Sequence, residues 1–388
     1  MQIIGATSHA AEGISKGIVK SIDDTTSSIS ALLEKGERLI GVPINSVFVS
    51  INDPHVRCER SKGVVAVGKS NGEISQDDVE RAVEAARALS VPTNYEILHV
   101  IPVKYTVDSQ EDVKDPIGMS GIRLEVEALI IQGTSSQIKN LTKSVYRTGL
   151  DIEDLVLSPL ALGEAILGSK QKELGVAAVG LGAATTTLAV YEDSKIIHTA
   201  IIPIGSEHIT SDIAIGLRCP INLADRVKLE HGNARTKSFH GKEEVDISDL
   251  AKEEEVDDEI STISKKYVAE IIEARVEEIF EKIDDELKKI ERSGMLPAGI
   301  VLGGGGAKLP GLIEVAKDKL RLPVGIGVCK NVDVIIDKVN DPRYLNALGL
   351  VCWGDLFLEK KGGSFFGPKA TVDKTVGKIK DFFSKLAP

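Results

Sequence analysis

The sequence predicts an α/β protein of more than one lobe, and three observations carry that expectation. Leu174–Pro203 holds the apolar runs Val176–Leu181, Thr185–Tyr191 and Ile196–Pro203, separated by the small-residue turn Gly182-Ala183-Ala184 and by Glu192-Asp193-Ser194-Lys195. That is the pattern of antiparallel strands with a tight first turn. Ala298–Leu312 passes from the β-branched run Ile300–Leu302 through consecutive glycines, Gly303–Gly306, into helical spacing at Leu312, Val315, Ala316, Lys319 and Leu320. A chain of 388 residues, 42% apolar and 27% charged, can bury two sizeable cores.

Both glycine segments suit a phosphate. At Gly182-Ala183-Ala184 small residues let a ligand approach the backbone, and free N–H groups followed by the Thr185 and Thr186 hydroxyls offer donors to its oxygens. An ordinary Gly/Ala-rich hairpin has the same appearance. A strand, a glycine loop and then a helix form a nucleotide cradle, because the loop lies close to the ligand and the helix start points its dipole at it. Gly303–Gly306 fits neither the lysine-bearing phosphate loop nor the GxGxxG pattern.

Composition excludes other classes. A net charge of −11, from 47 basic and 58 acidic residues, argues against nucleic acid as the main partner. Cys58, Cys219, Cys329 and Cys352 lie far apart without CxxC spacing, as expected of reduced thiols in a cytoplasm. No apolar run approaches the roughly 18 residues of a spanning helix, and the N-terminus lacks a basic stretch before an apolar core. The expectation is a protein neither exported nor membrane-spanning.

In chain order, Met1–Val19 is a weak strand pattern, and Asp23-Asp24 opens a helix with Ile29, Leu32 and Leu33 on one face, ending near Gly41. Asn45–Ile51 alternates as a strand. A small α+β unit follows: strand Gly63–Val67, a helix after the cap Ser75-Gln-Asp-Asp78, and strands Leu98–Val107 and Ile122–Ile131. Ser136–Thr148 is helical, capped by Gly149, Asp151–Leu157 returns to a sheet, and Pro159–Leu167 is another helix. Thr210–Ala224 reads as a helix interrupted at Pro220, and Lys237–Glu259 as a solvated acidic loop. Lys265–Glu291 keeps helical spacing at Val268, Ile271, Ile272, Val276, Ile279, Phe280, Ile283, Leu287 and Ile290. Tyr344–Leu358 is a last buried helix, and Gly362–Pro368 a glycine-rich break. In the tail, Val376, Ile379, Phe382, Phe383 and Leu386 share one face, while Lys374, Lys378, Lys380 and Lys385 oppose only Asp373 and Asp381. A basic amphipathic helix of this kind suits a membrane interface; a terminal helix docked back on the protein is the alternative.

The two glycine loops, about 120 residues apart, resemble the phosphate and adenosine motifs of the actin-like ATP-binding fold. With Val227-Lys-Leu-Glu-His-Gly-Asn-Ala234 and the segment Ile97–Glu127 added, the chain from about Gly17 onward resembles the bacterial cell-division family FtsA. The resemblance implies an actin-like two-lobed α/β fold with an inserted small α+β subdomain. It divides the chain into a lobe 1 core over 1–56 and 134–172, the inserted subdomain over 57–133, and a lobe 2 core over 173–212 and 297–339. An outer subdomain of lobe 2 over 213–296, a closing helix over 340–358, a flexible linker over 359–373 and a membrane-targeting helix over 374–388 complete the division.

By resemblance, ATP is held at Gly182, Ala183, Ala184, Thr185 and Thr186, at the turn Gly205, at the adenine-side residues Asp225, Lys228 and Gly232, and at the adenosine loop Gly303, Gly304, Gly305 and Gly306. The i, i+3, i+7 spacing of Asp225, Lys228 and Gly232 puts them on one helical face; a surface ion pair is the alternative there. The implied partners are the FtsZ C-terminal peptide, met by Lys265 and Lys266, further copies of the chain in a filament, and the inner face of the cell membrane at the division site. Arg275 sits among acidic neighbours that would hold it. Two further readings stay open, a pilus-assembly actin homologue that binds an inner-membrane partner, and a sugar or acetate kinase of the same superfold.

Departures from the family pattern fall in the chemistry. The family's hairpin usually reads Asp-Ile-Gly-Gly-Gly-Thr-Thr-Asp, and this chain reads Gly180-Leu-Gly-Ala-Ala-Thr-Thr-Thr187. Both aspartates are gone, including the one expected to act through Mg²⁺, so no catalytic residue is assigned and weak or no hydrolysis is expected. Ser158 stands where an acidic residue is common, and Ser206 follows Gly205 where a second glycine is usual. The family's first phosphate hairpin, of Asp-Ile-Gly-Thr type, is not in the sequence, which fits either a start assigned too far downstream or a degenerate homologue.

Overall fold

The computed structural model describes residues 2–69, 71–88, 91–239, 243–254, 262–329, 332–334 and 337–362. The chain divides into two compact units, one of Met1–Ala6, Pro159–Ser194 and Ile201–Gly349, the other of Thr7–Ser158, Lys195–Ala200 and the chain from Leu350.

The first unit is built on a sheet whose central strand, Val176–Leu181, is buried along its whole length. Its apolar run explains this, since a strand covered on both faces has no solvent side and shows no alternation. Thr186–Glu192 pairs with it antiparallel, and Ile300–Gly303 pairs on its other edge in parallel and is followed by Val324–Ile326. Helices Ser206–Leu217, Ile221–His231, Lys265–Lys289 and Leu312–Leu320 complete this unit's core. On the long helix Lys265–Lys289, Val268, Ala269, Ile272, Val276, Ile279, Phe280, Ile283 and Leu287 are buried, while Ile271 and Ile290 are only partly covered.

The second unit contains a four-stranded antiparallel sheet, in the order Arg57–Ala66, Arg123–Thr134, Tyr95–Val107, Gln110–Val113. Helix Gln76–Arg87 packs on it over a core that includes Ile74, Val79, Ala82, Val100, Leu124 and Ile130. The expected cap at Ser75 is present, with Asp78 Oδ2 accepting from the Ser75 N–H at 2.9 Å. Gly63 makes the packing possible, because a Cβ there would run into the Ala82 carbonyl oxygen and the Ala86 nitrogen. Beside this sheet, Ser46–Ile51 pairs in parallel with Asp151–Leu157, and helix Ile22–Ile40 ends at Gly41 with φ 75°.

Several expectations need correction. The first strand of the inserted unit begins at Arg57, six residues before Gly63. Its residues are polar and largely exposed, so no apolar alternation announces it, and its register with Arg123–Thr134 holds it instead. Helix Ser135–Tyr146 is capped at Arg147, and Gly149 lies beyond it with φ 83°. The break at Pro220 is real, but the second helix runs on to His231. Part of the presumed loop Lys237–Glu259 is ordered: Glu244–Asp246 pairs with Thr262–Ser264, and Ser248–Glu253 is helical. Strands of three residues are too short to leave a periodic signature. The last helix, Leu345–Gly362, extends past its expected end, and the amphipathic tail lies outside the described residues.

Within the second unit, three polar side chains meet in the interior. Trp353 Nε1 donates to Asp154 Oδ2 at 2.9 Å, and His99 Nε2 accepts from the Leu157 N–H at 3.1 Å with its ring set edge-on to Trp353. Burial lowers His99 from 6.5 to about 4 and raises Asp154 from 3.8 to about 6. The Asp154 contribution to stability is therefore complete at acid pH and is lost as pH rises through about 6. The His99 contribution is complete above 6.5 and is lost as pH falls toward about 4. Replacing His99 by Gln removes the second effect alone. Urea unfolding of His99→Gln and wild type should show the variant gaining about 2 kcal/mol relative to wild type as pH falls by two units below the ordinary histidine value. A difference that stays constant with pH would contradict this origin.

Candidate glycine-loop site

The site is a meeting of two backbone loops within one unit. Across the hairpin, Gly180 faces Thr187 and Leu181 faces Thr186, and the Gly182 N–H closes the turn on Thr185 O at 3.0 Å. The turn leans on the start of helix Ser206–Leu217: Gly182 O accepts from the Ser206 N–H at 2.9 Å, and Ala183 O from the Glu207 N–H at 2.7 Å. Gly205 lets the two backbones come this close, because a Cβ there would lie 2.5 Å from Ala183 O and 2.7 Å from Gly182 O. The turn carbonyls thus cap the helix. Ala183 is exposed and Ala184 partly so, and their amides make no hydrogen bond among the described residues. Thr185 is buried, and the buried Thr186 hydroxyl donates to Ile204 O at 2.7 Å, so Thr186 is already engaged.

The second loop lies directly against the first. Gly303 is the parallel register partner of Gly180. Gly304 has φ 84°, and a Cβ there would fall on the Leu181 carbonyl oxygen; one on Gly306 would be 2.5 Å from Leu181 Cγ. These glycines let the loop rest on the hairpin strand. The loop continues as a short 3-10 turn, Gly305–Lys308, and the helix starts only at Leu312, after Gly311 with φ 78°. The helix thus begins where the spacing of Leu312, Val315, Ala316 and Leu320 puts it, with the 3-10 turn between it and the glycines. Its start lies against Asn233 and Arg235, and Pro310 O accepts from the Ala234 N–H at 2.7 Å.

Sequence reasoning missed the charges beside this loop. Asp341 accepts from Lys308 Nζ at 2.8 Å and from the Arg343 guanidinium at 3.0 Å, and the Arg343 stem covers Gly305. Arg343 first and then Lys308 hold the Asp341 carboxyl well below the usual carboxylate range. The available signal was Asp341-Pro342, a cap for the turn Pro342–Tyr344. Nothing local connects that cap to Lys308.

Lys228 Nζ donates to Asp225 Oδ1 at 2.7 Å and contacts Thr210, which also meets Asp225 at 3.2 Å. The pair is closed within its own helices as an ion pair with a hydroxyl. Gly232 closes the helix after His231: its N–H still donates to Lys228 O at 3.1 Å, and its own backbone then turns extended. Lys265 and Lys266 stand at the start of the long helix, partly and fully exposed. Arg275 is held, as expected, but its firmest partner comes from another helix: Asp212 accepts at 2.5 and 2.8 Å, and Glu278 at 2.5 Å. Val376, Ile379, Phe382, Phe383 and Leu386 lie outside the described residues.

Two amides without a partner among the described residues, on Ala183 and Ala184, are donors of the kind a phosphate oxygen accepts from. No carboxylate stands at position 180 to hold a cation, and a Cβ there would lie 2.5 Å from Thr187 Oγ1 and 2.9 Å from Leu162 Cδ2, so those side chains would have to move to admit one. Among the described residues no group of three or more His, Cys, Asp or Glu is arranged to hold a metal.

The sheet, the hairpin and the glycine loop make this an actin-like protein with an inserted domain. A solved structure, "PilM-PilN type IV pilus biogenesis complex", shares the fold with a TM-score of 0.61 at 16% identity, covering 88% of each chain. The family profile described as "SHS2 domain inserted in FTSA" matches residues 54–132, and the one described as "Cell division protein FtsA" matches residues 177–349. The protein so named from Bacillus subtilis (strain 168) is 37% identical over 90% of this chain and 77% of its own length. Those from Pseudomonas aeruginosa and Escherichia coli K12 are 34% and 31% identical, each over 91% of this chain and 83% and 84% of their own. The chain belongs to the FtsA family of cell-division proteins.

Gly205 provides a test of the site's construction. Gly205→Ala should lose about 1–3 kcal/mol of stability in urea unfolding, because its Cβ separates the turn from the helix it caps. Gly325→Ala is the control, since a Cβ there meets nothing within 4 Å, and it should stay within about 0.5 kcal/mol of wild type.

Proposed function

We propose that this chain couples FtsZ filaments to the inner face of the cell membrane during division, as a polymerising actin-like tether. Membership of the FtsA family is the observation that carries the reading, through relatives that span nearly all of this chain. In this reading the lobe and subdomain boundaries expected from the sequence hold. The chain self-associates into filaments, and a nucleotide such as ATP rests on the glycine loop with little or no hydrolysis. The kinase alternative lacks support, because it needs an acidic residue in the hairpin and the positions concerned are Gly180 and Thr187. The pilus alternative rests on the fold alone.

The FtsZ C-terminal peptide, as an acidic segment, would meet the start of the long helix. Arg275 is taken up by Asp212 and Glu278, whereas Lys265 and Lys266 make no ion pair among the described residues. Reversing both lysines to Glu should weaken binding of the labelled peptide about tenfold in low-salt anisotropy titrations. Unchanged affinity would remove this face from consideration.

Among the described residues no helix is long and apolar enough to cross a membrane, so attachment in this reading falls to the tail 374–388. Burying its apolar side chains contributes about 1.5–3 kcal/mol each at full depth, and ordering each residue costs about 1–2 kcal/mol. One tail therefore binds weakly, and many tails on one filament bind firmly. In co-sedimentation with anionic liposomes, a chain ending at Gly367 and the variant Phe382→Glu should both stay in the supernatant while the full chain pellets. Equal pelleting of the shortened chain would establish the docked terminal helix instead.

A further inference from the structure

Building on the nucleotide reading above, we propose that the glycine-loop site takes a nucleoside polyphosphate as the free anion, without a divalent cation. A hard cation needs oxygen ligands, and a phosphate needs donors. Several of the hairpin's oxygens are already engaged within the protein. Gly182 O and Ala183 O accept from the amides of helix Ser206–Leu217, the Ser206 hydroxyl also donates to Gly182 O at 3.0 Å, and the Thr186 hydroxyl is spent on Ile204 O. The two amides left without a partner among the described residues, on Ala183 and Ala184, are donors.

No carboxylate stands at position 180 to balance them. Leu162 and Thr187 fill the space in front of Gly180, and Thr187 Oγ1 turns back to Gly180 O at 3.5 Å. The charge next to the loop is also of the sign that attracts an anion directly. Lys308 and Arg343 share the single carboxylate of Asp341, which leaves one net positive charge beside Gly305. Donors at the turn and a net cation at the glycine loop take over the neutralising part that a metal plays elsewhere.

Isothermal titration of the full chain with ATP and with ADP, each in Mg²⁺ and in excess EDTA, tests this. The dissociation constants should agree within about threefold between the two buffers, a difference well under the 1.4 kcal/mol of a tenfold change. Arg343→Glu should weaken both nucleotides about tenfold in both buffers. Tightening by Mg²⁺ of tenfold or more would overturn the proposal, as would affinities that Arg343→Glu leaves unchanged. Failure of either nucleotide to bind in any buffer would overturn it too. The tether reading is judged separately, by the peptide and liposome measurements.

Discussion

The contact on which this protein's site depends is between two stretches of backbone. Gly304 lies so close to the Leu181 carbonyl that no Cβ can stand between them, and Gly303 is in parallel register with Gly180 one step earlier. Because Val176–Leu181 is buried along its whole length, its position is fixed by packing on both faces, and the glycine loop inherits that fixed position. Gly205 does the same on the other side, bringing the helix start against the turn. Loops that are usually mobile are here held against a strand buried along its whole length, which lets main-chain groups act as a defined surface.

Much of this was legible in the sequence, for identifiable reasons. The central strand shows as an uninterrupted apolar run, the long helix as a 3.6-residue period, and the glycine loop as an insertion between strand and helix patterns. The strand Arg57–Ala66 was only partly visible, because an edge strand with exposed polar residues is specified by its partner's hydrogen bonds and not by its own alternation. The pairing of Glu244–Asp246 with Thr262–Ser264 was invisible, since a three-residue ladder carries no period.

The site itself was readable as a set of positions and not as a set of functions. Sequence placed Thr186 in the hairpin but could not show that its hydroxyl turns to Ile204, a residue brought near by the chain's return. It put Asp225 and Lys228 on one helix, while Thr210, which completes their contact, comes from the preceding helix. Lys308 and Arg343 are far apart in the chain and are joined by Asp341 only after folding. Each of these is a tertiary fact, and local propensity has no access to it.

The glycines at 205 and 304 differ from the hairpin's missing aspartates in what keeps them in place. An aspartate in such a hairpin answers to the ligand it meets, and its position can also be filled by glycine or threonine, as at Gly180 and Thr187. Gly205 and Gly304 have no such freedom, because neighbouring carbonyls occupy the volume any side chain would need. The shape of this site is therefore set by glycines that packing locks in place, whatever side chains the hairpin carries.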